Sequence, residues 1–168
     1  MPDSQTDKID TPGSQKPSHL ADVRPRLIII AVAVWVLVQM GRITAFSLVQ
    51  SVIAGNDSAA WLYPALVDMF IGITAPFVAF ALWRKRGLAV WVTALVWFSI
   101  SIFDHLDGLT AALSTTVPVG LGGGSAPIAI TGFLVFTVLD VGALVLLTRR
   151  RMKVHYLARL STYQTPQS

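Results

Sequence analysis

The chain is poor in charged residues and contains no cysteine. Its 168 residues are 13% charged and 54% hydrophobic, with a mean hydropathy of +0.63. Soluble domains carry about 25% charged residues, and disordered chains combine low hydrophobicity with high charge, so both classes are excluded. Without cysteine, thiol redox chemistry, iron–sulfur clusters, thiolate zinc sites and cysteine nucleophiles are excluded as well. The composition indicates a polytopic membrane protein.

Glutamate is also absent, so all nine acidic residues are aspartates. An aspartate side chain is short and cannot extend far from the helix that carries it. An aspartate at membrane depth must therefore find its partner close to its own backbone.

Four apolar segments predict four transmembrane helices over about 27–52, 61–83, 88–106 and 127–148. Each supplies the roughly 20 residues needed to cross a hydrocarbon core about 30 Å thick. The apolar runs are continuous rather than alternating, which favours helices over a β-barrel. We therefore expect an all-α membrane protein, with the four helices packed as an antiparallel bundle over residues 27–148.

The segments around these helices have a different composition. Residues 1–26 are rich in Pro, Ser, Gln and Asp, which predicts a disordered tail, and residues 149–168 form a basic C-terminal tail. In the third connection, residues 109–119 are mildly apolar and predict an interfacial or re-entrant stretch. Residues 120–125 are rich in glycine and predict a linker.

The basic residues predict the orientation. Connections 55–60 and 107–126 carry no Lys or Arg, whereas 12 of the 13 basic residues lie in the two tails and the loop 84–86. The positive-inside rule then places both termini and this loop on the cytoplasmic side of the cell membrane. We interpret the basic residues as topology anchors that contact lipid head groups, not as a nucleic-acid site. The anchors are Arg84, Lys85, Arg86, Arg149, Arg150 and Arg151.

Several polar residues lie at membrane depth, where a charge costs at least about 2.5–3.5 kcal/mol. Helical rise places Arg42, Asp68, Asp104 and His105 together in the outer half of the membrane, and Asp140 deeper, nearer the cytoplasmic side. The candidate polar cluster comprises Gln39, Arg42, Asp68, Asp104, His105, Asp107 and Asp140.

Two interpretations of this cluster are open. In the structural one, Arg42 pairs with Asp68 or Asp104 and holds the helices in register. One arginine cannot neutralise three carboxylates, however, so at least one must be hydrated, protonated or bound to a cation. For Asp140 we expect a hydrogen bond from a hydroxyl group such as that of Thr74.

The functional interpretation has two versions. The first is a non-enzymatic protein that handles a small solute or ion, for instance by proton relay, or serves as an accessory subunit of a membrane complex. A lone four-helix bundle has little interior, so we expect a homo-oligomer or a larger complex. The alternative is a membrane enzyme acting on a lipid or small substrate, in which Asp104, His105 and Asp107 are candidate ligands of a divalent cation. No other cofactor is predicted.

The predicted orientation can be tested with reporter fusions. A reporter fused after Arg86 should be cytoplasmic, and one fused after Gly124 should lie outside, because the basic loop stays on the cytoplasmic side. The two positions are compared by the activity of a reporter that works on only one side of the membrane. The reverse pattern would contradict the depth assigned to every polar residue.

Overall fold

A computed structural model describes residues 19–157, and within this range the chain forms helices, turns and loops without a β-strand. The α-helices of this range are α1 His19–Val38, α2 Ala45–Ile53, α3 Leu62–Arg84, α4 Leu88–Ser114, α5 Ala126–Thr148 and α6 Arg150–Leu157. Four stretches are long and apolar enough to span a membrane: Arg26–Ile53, Ala59–Arg84, Leu88–Ser114 and Ala126–Thr148. The predicted all-α fold with four spans is confirmed, and the protein is membrane-embedded.

The first span is not one continuous α-helix. Between α1 and α2 the backbone tightens into a 3₁₀ turn, Gln39–Thr44, and this turn carries Arg42. It packs against α3 at Gly72, where an added Cβ would lie 2.5 Å from the backbone nitrogen of Ile43. Glycine therefore allows the two backbones to approach closely, one helical turn from Asp68 on α3.

Two apolar clusters fill the interior, and the polar residues lie between them. The first includes Val36, Ile71, Ala75, Val78, Leu82, Trp97, Phe98, Ala143, Leu147, Met152 and Tyr156. The second includes Leu48, Val49, Trp61, Ala65, Ala111, Ala112, Val117 and Ala129. Along each of the four spans, the polar residues separate members of one cluster from members of the other. The bundle therefore has a polar layer enclosed by apolar packing.

Helix α6 covers the end of the first apolar cluster. The side chains of Met152 and Tyr156 on this helix are buried. The Tyr156 hydroxyl donates a hydrogen bond to the backbone oxygen of Leu82 at 3.1 Å. Burial raises the pKa of this hydroxyl to about 12, which keeps the donor protonated. Only a basic tail was expected here. The spacing of these two apolar residues, four apart, is typical of one helix face.

Helix α4 extends beyond the expected end near residue 106 and reaches Ser114. The hydroxyl groups of Thr110 and Ser114 donate to carbonyl oxygens of the preceding turn, and Gly108 packs closely on the ring of Phe133. Residues 109–114, expected to be interfacial or re-entrant, are therefore helical. Asp104 lies about three turns inside the helix rather than at its end.

The tails differ in part from expectation. Helix α1 begins at His19, so residues 19–26, expected to be disordered, are helical. The disordered tail predicted for residues 1–18 lies outside the described residues, as does the part of the basic C-terminal tail from residue 158 onward.

The connection between α4 and α5 is anchored rather than loose. The indole nitrogen of Trp61 donates to the backbone oxygen of Thr116 at 3.1 Å, and Val117 is buried. The glycine run forms a 3₁₀ turn, in which Gly123 and Gly124 adopt positive φ values of 67° and 77°. Glycine suits this turn because other residues rarely adopt such backbone angles.

The close contact at Gly72 should be sensitive to substitution. We expect Gly72→Ala to destabilise the protein by about 1–3 kcal/mol, because the new methyl group meets backbone that cannot move aside. Thermal unfolding of the detergent-purified protein measures the effect. Gly142→Ala is the matched control, since a Cβ there meets no described atom within 4 Å. Equal stability of the two variants would contradict the close approach.

Candidate functional site

The guanidinium group of Arg42 is the centre of the polar layer. It forms ion pairs through Nε with Oδ1 of Asp68 and through Nη2 with Oδ2 of Asp104. Its Nη1 donates to Oγ of Ser101 at 2.7 Å and to Oε1 of Gln39 at 3.3 Å. One side chain thus connects the first span directly with α3 and α4.

Asp140 of α5 joins the same network. Its Oδ1 accepts hydrogen bonds from Nε1 of Trp35 at 2.7 Å and from Nε2 of Gln39 at 2.9 Å, and its Oδ2 accepts from Oγ of Ser101 at 2.6 Å. The sequence placed Asp140 deeper, apart from the other polar residues. Asp140 does lie on that side of Arg42, since its partners Trp35 and Gln39 precede Arg42 on the first span. It is not apart from the cluster, however, because Ser101 and Gln39 place its carboxyl group one side chain away from Arg42.

Ser101 and Gln39 connect Arg42 with Asp140. The Ser101 hydroxyl accepts from Arg42 and donates to Asp140. The Gln39 amide accepts from Arg42 through its carbonyl oxygen and donates to Asp140 through its nitrogen. Both side chains are fully buried and use both of their hydrogen-bonding functions. Ser101 was not among the predicted site residues, although it lies three residues before Asp104 on the same helix face.

Thr74 is not the hydroxyl partner of Asp140. Thr74 lies elsewhere, where its hydroxyl accepts a hydrogen bond from Nε1 of Trp97 at 2.9 Å and donates to the backbone oxygen of Phe70. The expectation of a hydroxyl donor to Asp140 is correct in kind, since Ser101 provides it.

His105 lies beside Asp140, with its Nδ1 3.4 Å from Oδ2 of that carboxyl group. The rings of Phe133 and Phe136 flank the imidazole at centroid distances of 6.4 and 5.7 Å. Within the described part of the chain, neither Nδ1 of His105 nor Oδ1 of Asp104 has a hydrogen-bond partner, and both atoms are buried. Buried polar atoms are rarely left unpaired, so this site has unused capacity to hold a proton or a ligand.

Asp68 and Asp104 share one edge of the guanidinium group. The parallel N–H groups at Nε and Nη2 commonly bind both oxygens of a single carboxylate. Here each N–H binds a different carboxyl group, so the two carboxyl groups lie side by side. Two carboxyl groups therefore bind one arginine directly, and that of Asp140 is one side chain away.

Two adjoining cavities reach this cluster. A cleft of about 580 Å³ leads to Arg42 and Asp68 between α2 and residues 118–121. Its polar lining includes Thr44, Ser47, Ser51, Asn56 and Asp57. The second cavity, of about 280 Å³, also contains Arg42 and Asp68 and extends to His105. Its remaining walls are mainly apolar and include Leu121, Ile128, Gly132, Phe133 and Phe136.

Asp107 is separate from the cluster. It lines a surface cleft with Ala59, Tyr63 and Thr110, beside the start of α3. Coordination of a divalent cation by Asp104, His105 and Asp107 stays a prediction. Within residues 19–157, no group of three His or Asp side chains has a spacing suited to a metal ion.

Comparison with known proteins finds no matching family model, curated protein or solved structure. The chemistry of this cluster is therefore the basis for assigning a function.

The ion pairs predict a large effect on stability when Arg42 is removed. Arg42→Gln should destabilise the protein by about 3–5 kcal/mol, because it leaves buried carboxylates unpaired. Adding Asp104→Asn should recover part of the lost stability, because it removes one of those carboxylates. Thermal unfolding in detergent measures both variants, and Arg150→Gln on the exposed face of α6 is the control. Equal stability of Arg42→Gln and the control would contradict the ion pairing.

Proposed function

We propose that this protein is a non-enzymatic integral membrane protein that binds and releases protons at its buried polar cluster, and thereby handles a small ion or solute. The observation that carries this proposal is the excess of acid. Two carboxyl groups bind one guanidinium group directly, a third is one side chain away, and apolar clusters lie on both sides of this layer.

The charge balance supports proton binding. A buried carboxylate without a compensating charge costs several kcal/mol, and Arg42 supplies a single positive charge. Asp68 and Asp104 sit on the same edge of the guanidinium group. Two carboxylates this close cannot both ionise cheaply, and they resolve the conflict by sharing one proton. We therefore assign a shared proton to Asp68 and Asp104, which we call the aspartate pair.

A second position for a proton lies behind the aspartate pair. His105 follows Asp104 in sequence, and its unpartnered Nδ1 faces the carboxyl group of Asp140. An imidazole nitrogen can accept or donate a proton, so this pair of groups offers a proton a position next to the aspartate pair. Ser101, which accepts from Arg42 and donates to Asp140, holds that carboxyl group in place. Arg42 remains charged throughout, because its guanidinium group does not lose a proton in proteins.

Access to the cluster comes from one end of the bundle. The cleft between α2 and residues 118–121 reaches Asp68 and Arg42. On the other side the first apolar cluster, covered by α6, follows directly after the polar layer. With both termini in the cytoplasm of a cell-membrane protein, as the basic residues indicate, protons would enter from outside. Complete transfer would then need a second conformation or a partner chain, in keeping with a homo-oligomer or a larger complex.

Infrared spectroscopy of the reconstituted protein tests the aspartate pair. The wild type should show the carbonyl stretch of a protonated carboxyl group at neutral pH, because the pair retains its proton. Asp68→Asn and Asp104→Asn should each abolish the band assigned to the pair, since the remaining carboxylate is then neutralised by Arg42. The same variants should slow proton uptake by liposomes under an imposed pH gradient, read with an internal pH dye.

Asp107→Asn is the matched control, because Asp107 lies on the same helix but outside the cluster. It should leave both the infrared band and proton uptake unchanged. Helical content and thermal unfolding identify any variant that fails to fold. An unchanged band and unchanged uptake in the folded Asp68→Asn/Asp104→Asn double variant would overturn the proposal.

A further inference from the structure

Another polar cavity, separate from the two at the cluster, lies at the end of α3 opposite the cleft that reaches the aspartate pair. Its volume is about 520 Å³, within the range of roughly 300–1,000 Å³ typical of ligand pockets. The residues that line it are Arg26, Ile29, Ile30, Trp83, Arg84, Lys85, Arg86 and His155. They come from α1, from the end of α3 and the loop after it, and from α6.

The lining of this basic cavity is strongly positive. Its positive charge comes from Arg84, Lys85 and Arg86 at the end of α3 and in the loop after it, and none of the described residues that line it is acidic. Cations gathered around one concave space raise its electrostatic potential, so an anion bound there is stabilised. Arginine side chains in particular present several N–H donors that match the oxygens of a phosphate group.

The surface beside the cations is apolar and exposed. Trp83 is 69% exposed and Ile30 is 49% exposed, and both also line the cavity. They lie near the ends of membrane spans, and tryptophan at such a position is typical of the boundary between head groups and hydrocarbon. A ligand that matches both surfaces has an anionic head and hydrocarbon chains, whereas free phosphate would use only the charged part.

We propose that the basic cavity is a binding site for one anionic phospholipid. The phosphate lies among Arg84, Lys85 and Arg86, and the acyl chains run along Ile30 and Trp83. The same lipid contacts His155, so it links α6 to the loop after α3. This site is distinct from the general attraction of basic residues to a membrane surface, because it needs a cavity of defined shape and an apolar wall.

Native mass spectrometry of the full-length protein tests the site. The protein is released from nanodiscs that contain phosphatidylcholine and phosphatidylglycerol with identical acyl chains. The wild type should retain one phosphatidylglycerol molecule in preference to phosphatidylcholine. Arg84→Gln/Arg86→Gln should weaken this preference by about fivefold for each charge removed. Trp83→Ala should reduce the retention of lipid without changing the charge.

Arg150→Gln/Arg151→Gln is the matched control, because it removes the same charge from exposed positions that do not line the cavity. It should keep the preference for phosphatidylglycerol. An equal loss in this control, or no loss in Arg84→Gln/Arg86→Gln, would overturn the site. Displacement of the lipid by inorganic phosphate, with full retention in Trp83→Ala, would overturn the assignment to a phospholipid and indicate a free anion instead.

Discussion

The packing of the four spans depends on burying the charge of Arg42. A guanidinium group inside a membrane needs partners, and no single helix supplies enough of them. Asp68 and Asp104 bind it directly, while Asp140 is reached through Ser101 and Gln39. The polar layer therefore sets the register of all four spans, because a shift of one helix would leave a buried polar group unpaired.

This layer contains more acid than a structural lock requires. One carboxylate would neutralise Arg42, and hydroxyl or amide groups could satisfy its remaining N–H groups, as Ser101 and Gln39 already do. The additional carboxyl groups and the imidazole of His105 add desolvation cost without adding a positive partner. Such a surplus is retained at a functional site more readily than in a packing contact, which is why we assign proton binding to it.

Much of this arrangement could be predicted from the sequence. The length of the apolar runs predicted the spans, and the cost of a buried charge predicted that Arg42 pairs with aspartates. The prediction failed where it depended on continuous helices of assumed length. Helix α4 reaches Ser114, a 3₁₀ turn interrupts the first span, and the carboxyl group of Asp140 is connected to Arg42 through Ser101 and Gln39. Helical spacing places Asp107 on one face of α4 but does not show what lies opposite it, and the structure puts this residue in a surface cleft.

Helix α6 covers the end of the bundle that holds the basic cavity. Met152 and Tyr156 bury their side chains in the first apolar cluster, and the Tyr156 hydroxyl bonds to the backbone of α3. A path from the polar layer to this end would have to open that cluster, which requires α6 to release these contacts. A phospholipid bound between His155 and the loop after α3 would oppose this release. Under both proposals, lipid in the basic cavity favours the conformation in which the first apolar cluster separates the polar layer from this end of the bundle.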